Sequence, residues 1–125
     1  MSGLTLDTGA LIAIERRDRR VRHLIDLAKA RGERVTVPAP VVTEWWRGQR
    51  GPTARILDAF DVEPIDEDLA RRAGEALAKS VDGPSAIDAI VMASAASRGD
   101  HVLTGDVSDL ERLRAVFPIV RVLGV

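Results

Sequence analysis

Apolar positions along the chain change their spacing several times, and each change marks an element boundary. Leu4 to Leu6 is a short apolar run of strand type that ends at Asp7-Thr8-Gly9. A helical period follows in Val21, Leu24, Ile25 and Ala28, stopped by Gly32, and Arg34 to Val37 is a β-branched strand closed by Pro38. Pro40 opens a helix carrying Val41, Val42, Glu44, Trp45 and Trp46 up to Gly48, and Pro52 starts another through Ile56, Leu57 and Phe60. The third strand is expected over Val62 to Ile65. A well-patterned helix runs from about Asp66 to Ser80, with Leu69, Ala73, Ala76 and Leu77 on one face, before the breaker Asp82-Gly83-Pro84. Ala86 to Ser97 is apolar or small nearly all round, which predicts a helix buried against a sheet; Gly99 ends it ahead of a strand over His101 to Leu103. A last helix, about Val107 to Val116, precedes a strand over Ile119 to Leu123.

Strands alternate with helices, and the strands are apolar runs rather than alternating ones. That pattern predicts an α/β fold of three layers, a parallel sheet with helices on both faces. With 125 residues and no repeat, low-complexity tract or linker, residues 1–125 are expected to form a single domain. A composition of 46% hydrophobic and 30% charged residues is that of a chain that folds into a globular protein. The absence of cysteine excludes disulfides and Cys-based zinc sites. Asp7 and the charge run that follows interrupt any signal-peptide core, and the longest charge-free stretches, Val35 to Thr43 and Ala89 to Ser97, fall well short of the ~18 residues of a membrane span. A cytoplasmic protein without membrane insertion is expected.

A net charge of −1 gives nothing global to attract a polyanion, which counts against a simple DNA-binding module. Sixteen of the eighteen basic residues are arginine, the exceptions being Lys29 and Lys79, and five arginines crowd between Arg16 and Arg22. Planar guanidinium forks suit phosphate oxygens, yet ERRDRRVR is also the composition of a solvated helical face, and the sequence alone favours that plainer reading.

In open parallel sheets, ligands bind beyond the carboxyl ends of the strands where strand order reverses. Asp7 ends the first strand and Asp106 follows the fourth, so an order such as 3-2-1-4-5 sets them side by side. Asp88 falls in the first turn of the apolar helix, and Glu44 one turn inside the helix after strand two. Each acid has an innocent reading: Asp7 as a helix cap, Ser85 to Asp88 as a capping box, Asp106 to Asp109 as a further cap, Glu44 as an exposed acid beside Arg47 and Arg50. Against that, Glu44 and Asp88 sit in the otherwise apolar segments VVTEWW and SAIDAIVMASAA, where a buried carboxylate is costly unless a cation neutralises it. Oxygen-only donors without cysteine or a histidine pair point to Mg²⁺ or Mn²⁺ rather than zinc.

These positions, in this order, resemble the PIN-domain nucleases, specifically VapC-type toxins. LTLDTGALIAI is similar to the family's first strand with its metal-binding Asp and adjacent hydroxyl, VVTEWWRG to its Glu-bearing helix, and SAIDAIVMASAASRGDHVLTGDVSDL to its Asp helix and final acidic turn. The resemblance spans essentially the whole chain. It implies a PIN-like sheet of order 3-2-1-4-5 and a Mg²⁺- or Mn²⁺-dependent endoribonuclease. Its acidic cluster would be Asp7, Glu44, Asp88 and Asp106, supported by the Thr8 and Thr104 hydroxyls, with either Asp106 or Asp109 facing the metal. It further implies an RNA substrate, a cognate antitoxin, and assembly as a homodimer or as a hetero-oligomer with that antitoxin.

Other readings are weaker on the residues. A haloacid dehalogenase-type phosphatase carries DxD after strand one, where this chain has Gly9, and a receiver-like phosphoacceptor needs a lysine near the last strand. A catalytically inactive PIN-like binding partner remains the non-enzymatic alternative. His23 and His101 are too scattered for a zinc site or a triad. Trp45 and Trp46, about 100° apart around a helix, are not both core residues, so one is expected to be partly exposed. The resemblance to VapC toxins implies an antitoxin groove near such helices as a reason for a tryptophan there, and simple core packing is an equal alternative.

Overall fold

A computed structural model of the chain describes residues 3–47, 51–80 and 83–125. In chain order its elements begin with β1 (Leu4–Leu6), α1 (Thr8–Glu15), α2 (Arg19–Ala30), β2 (Val35–Pro38) and α3 (Ala39–Trp45). A 3₁₀ segment (Gly51–Ala59), β3 (Asp61–Glu63), α4 (Glu67–Lys79) and α5 (Ala86–Arg98) follow, and the chain closes with β4 (His101–Thr104), α6 (Val107–Leu113) and β5 (Arg121–Gly124). All four strand pairings are parallel, in the order β3-β2-β1-β4-β5. Helix α1 packs against α2 and α3, and α5 against α4 and α6, the two groups that right-handed crossovers in this strand order assign to opposite faces, with α3 also touching α5. No described helix is long and apolar enough to cross a membrane.

The all-round apolar segment behaves as its composition demands. Ala89 and Val91 to Ala95 of α5 are buried, and the helix lies across β1, β2 and β4. Small side chains let it approach the sheet closely. Its ends are specified locally: Ser85 and Asp88 form a reciprocal capping box, and Gly99 takes the left-handed conformation (φ 72°) that closes it.

Where element boundaries depart from the sequence pattern, a local cause is visible. The stretch before Val21 holds a separate helix, α1: Ala10 and Leu11 pack into the core, but TGALIAI has no polar face to give a period and its Ile12 is exposed. It breaks at Arg17 (φ 57°), after which the Asp18 carboxylate accepts the Val21 N–H (3.0 Å) and starts α2. Strand three is Asp61–Glu63 rather than Val62 to Ile65, since Pro64 has no N–H to continue the ladder. The segment after Pro52 is 3₁₀ rather than α and buries none of its residues. Helix α6 stops at Leu113, short of Val116, ahead of Pro118; Val120 then bonds back to Phe117 (3.2 Å), so β5 begins at Arg121 rather than Ile119. Helix α3 closes at Trp45, with Trp46 as its C-cap, short of the expected stop at Gly48. Gly48 itself, the proximity of Arg50 to Glu44, and Asp82 of the breaker lie outside the described residues.

Candidate active site

Strand order reverses between β1 and β4, and both strands deliver their next residues to the same carboxyl edge. Asp7 follows β1, its N–H donating to the Leu103 carbonyl (3.1 Å), and Gly105-Asp106 follow β4. The two turns touch. A Cβ on Gly9 would lie 2.6 Å from the Gly105 nitrogen, so a residue without a side chain lets α1 start against the loop after β4. Beyond this edge opens a cleft of 340 Å³ lined by Asp7, Thr8, Gly9, Glu44, Ser85, Ile87, Asp88, Gly105 and Asp106. Four carboxylates from four separate segments therefore line one depression.

Asp7 is the buried member, 9% exposed. One carboxylate oxygen accepts the Ala10 N–H (2.9 Å) and the other the Thr104 hydroxyl, whose oxygen in turn accepts the Asp106 N–H (2.8 Å). Burial raises its pKa above the ordinary 3.8; bonds from Thr104, Ala10 and Gly105 offset part of that rise, and the Asp88 charge adds to it. A carboxyl whose folded pKa is raised stabilises the protein fully below pH 3.8, and that contribution is lost as pH climbs through the folded value. In chelator, wild-type protein should therefore lose more stability than Asp7→Asn as pH rises from 3.8 toward neutrality. Urea unfolding midpoints across that window measure the difference, and parallel profiles would contradict it.

The burial expected for Glu44 is not found. Val41 and Trp45 are the residues α3 turns inward, so Glu44 is exposed, and it accepts a hydrogen bond from the Thr8 hydroxyl. Asp88 is half-buried: Oδ2 accepts the Ser85 N–H (2.9 Å) while Ser85 Oγ accepts the Asp88 N–H (3.1 Å). The desolvation cost argued from apolar neighbours thus falls mainly on Asp7.

Asp106 lines the cleft and Asp109 does not. Asp106 Oδ1 accepts from Ser108 Oγ (3.1 Å) and the Asp109 N–H (3.4 Å), bonds that hold its pKa below the ordinary value. Asp109, in the first turn of α6, has its pKa raised by partial burial and by the charges of Asp106 and Asp88, against Arg112 at 3.7 Å. Asp7, Asp88 and Asp106 are each bonded as helix caps and each line the cleft. The capping reading and the cluster reading are therefore compatible, because α1, α5 and α6 all start at this edge. Ser85 lines the cleft as well, where the sequence pattern had suggested only a cap.

Among the described residues no lysine, arginine or histidine lines the cleft, so none of them balances its negative charge. Hard oxygen donors of this kind fit Mg²⁺ or Mn²⁺. Among the described residues, no three acidic or histidine side chains are grouped tightly enough to hold one ion as they stand. That spacing suits a cation that keeps several waters and takes one or two carboxylates directly, as Mg²⁺ does. Neither His23 nor His101 lines the cleft. Trp45 is buried, its indole N–H donating to Glu15, whereas Trp46 is 45% exposed, as adjacent helical positions require.

An all-parallel sheet of order 3-2-1-4-5, with acids gathered at its switch point, defines the class: an α/β domain whose ligand site lies beyond the strand ends. The chain belongs to the PIN domain family, whose model matches residues 4–116. Solved structures share the fold. A chain of the promoter-DNA-bound VapBC2 complex from Rickettsia felis superposes with TM-score 0.73 at 13% identity, covering 98% of each chain. One from DNA-bound VapBC of Salmonella typhimurium gives 0.73 at 20% identity, covering 99% of this chain and 98% of that one. A toxin-antitoxin complex from Klebsiella pneumoniae gives 0.71 at 22% identity, covering 95% of each. A search of curated proteins finds no match.

Proposed function

We propose that this chain is a metal-dependent endoribonuclease, the VapC-type toxin of a toxin-antitoxin pair, acting in the cytoplasm as a single domain over residues 1–125. The observation that carries the reading is the cleft itself: four carboxylates, with no lining cation among the described residues, at the switch point of a PIN-family sheet. Likeness to chains of toxin-antitoxin complexes supports an antitoxin partner, joined as a hetero-oligomer or alongside a toxin homodimer.

Asp7 and Asp88 are the principal holders of Mg²⁺ or Mn²⁺ in this reading, with Glu44 and Asp106 binding directly or through water. Bound there, the cation supplies charge neutralisation at the attacking and leaving oxygens of a phosphodiester and acidifies a water. The protein's own groups prepare that chemistry. Thr104 and the Ala10 N–H fix the Asp7 carboxylate, Thr8 orients Glu44, and the Ser85 capping box holds Asp88 at the rim.

Expression of the chain alone should arrest bacterial growth, Asp88→Asn should abolish the arrest, and co-expressed antitoxin should relieve it. Harmless expression of soluble wild-type protein would contradict the toxin reading. The wide spacing of the acids favours one rival, the catalytically silent PIN-like partner, which predicts antitoxin binding without arrest.

A further inference from the structure

Outside the cleft, the strongest unexplained feature is the corner between α1 and α2. Arg16, Arg17, Arg19, Arg20 and Arg22 are all exposed. Among the described residues none of the five is in a salt bridge, and what sets them apart from the scattered unbridged arginines Arg31, Arg47, Arg55 and Arg121 is that five fall within seven positions. The acids within the run are committed elsewhere: Glu15 accepts from the Trp45 indole, and Asp18 caps α2. Arg17 also stands at φ 57°, a left-handed conformation that glycine or asparagine holds with less strain, and it is the only non-glycine residue at positive φ among those described.

We infer that this corner is a phosphate-binding platform that holds the backbone of single-stranded RNA beside the acidic cleft; the inference rests on the nuclease reading above. Helix α1 links the two places. It begins at Thr8 in the cleft lining and reaches the corner after eight residues, about 12 Å at 1.5 Å per residue, a span of a few nucleotides. Guanidinium forks grip phosphate oxygens in pairs. With a net charge of −1, the protein depends on such local positive charge to hold a polyanion. An acidic protein segment is the rival occupant, since Arg17 and Arg22 also rim a 250 Å³ groove floored by Ile14, Ile25 and Phe60. The large apolar side chains exposed on these two helices are Ile12 and Leu27, to 37% and 38%, against five exposed arginines at the corner between them, and nucleic-acid interfaces are polar and cationic where protein interfaces centre on apolar groups.

The test is fluorescence-anisotropy binding of an oligoadenylate of about 12 nucleotides in EDTA, across a salt series, with cleavage in Mg²⁺ measured separately. If three phosphate contacts are lost in Arg16→Gln/Arg19→Gln/Arg20→Gln, the log-log salt slope should shrink by about 2 and affinity near 0.1 M salt should fall roughly 100-fold. Arg71→Gln/Arg72→Gln, on α4, should bind as wild type does. Arg17→Gly should weaken binding while its melting temperature stays at or above wild type, which a structural role for that side chain forbids. Unchanged affinity and slope in the triple variant would overturn the platform even if wild type cleaves RNA. So would failure of wild type to bind, or displacement of the oligonucleotide by polyglutamate as readily as by unlabelled RNA. Arginine-dependent binding without any cleavage would uphold the platform and sink the nuclease reading instead.

Discussion

Replacing Asp7 with Asn should lower RNA cleavage about 1,000-fold while leaving the protein folded, a loss of several kcal/mol of transition-state stabilisation. Asn is nearly isosteric, and its amide oxygen can still accept the Ala10 N–H that starts α1. The other oxygen becomes an NH2 that cannot accept the Thr104 hydroxyl, so Thr104 must turn to accept from it, and the charge disappears. Because burial already disfavours that charge, metal-free Asp7→Asn should be as stable as wild type or more so near neutral pH. Metal separates the two proteins in the other direction, since Mg²⁺ that binds only the native state stabilises it by RT ln(1 + [L]/Kd), a gain the variant should largely lose. Initial cleavage rates together with thermal melts in Mg²⁺ and in chelator measure both effects. Retained cleavage by a folded Asp7→Asn protein would remove Asp7 from the active site and leave it as a cap.

The largest stability effect is expected at the opposite edge of the sheet. Arg98, the last residue of α5, has a side chain only 16% exposed and donates to Asp100 (3.0 Å), Thr5 (2.9 Å), Ser94 (2.8 Å) and the Glu63 carboxylate. Asp100 is 2% exposed and also accepts from the Gly3 N–H (2.9 Å) and the Thr5 hydroxyl (2.8 Å). Arg98→Met fills similar space but leaves the Asp100 charge buried without its counter-ion. Breaking a buried pair from one side costs about 3–5 kcal/mol, and partial exposure of Glu63 puts this case near the lower end. For a chain of this length that lowers the melting temperature by about 10 °C. An unchanged urea midpoint would show that the network contributes nothing to stability.

Much of this architecture can be read from residue patterns because each element carries its own local cause. The sheet order and the burial of α5 follow from apolar strand runs and an all-round apolar helix, and the caps at Ser85 and Asp106 are spelled by residue type. Carboxylates placed after β1 and β4 point to the switch point once the sheet is parallel. What was not legible depends on contacts between distant segments. Apolar neighbours in sequence gave Glu44 a buried environment, but only the packing of Val41 and Trp45 decides which side of α3 turns inward. The touching pair Gly9 and Gly105 and the tie from Arg98 to Glu63 join residues far apart in the chain. The α1–α2 break went unseen because Arg16-Arg17-Asp18 carries neither glycine nor proline, and the turn rests on a strained Arg17.

The most direct test of a metal-dependent nuclease is cleavage of single-stranded RNA by the purified wild-type chain after treatment with EDTA, then with Mg²⁺ added back in excess. Four carboxylates around a cleft with no lining cation among the described residues predict no cleavage in EDTA, recovery on adding Mg²⁺ or Mn²⁺, and no recovery in Asp7→Asn. Cleavage in EDTA at the Mg²⁺ rate, or recovery of Asp7→Asn to the wild-type rate, would contradict it.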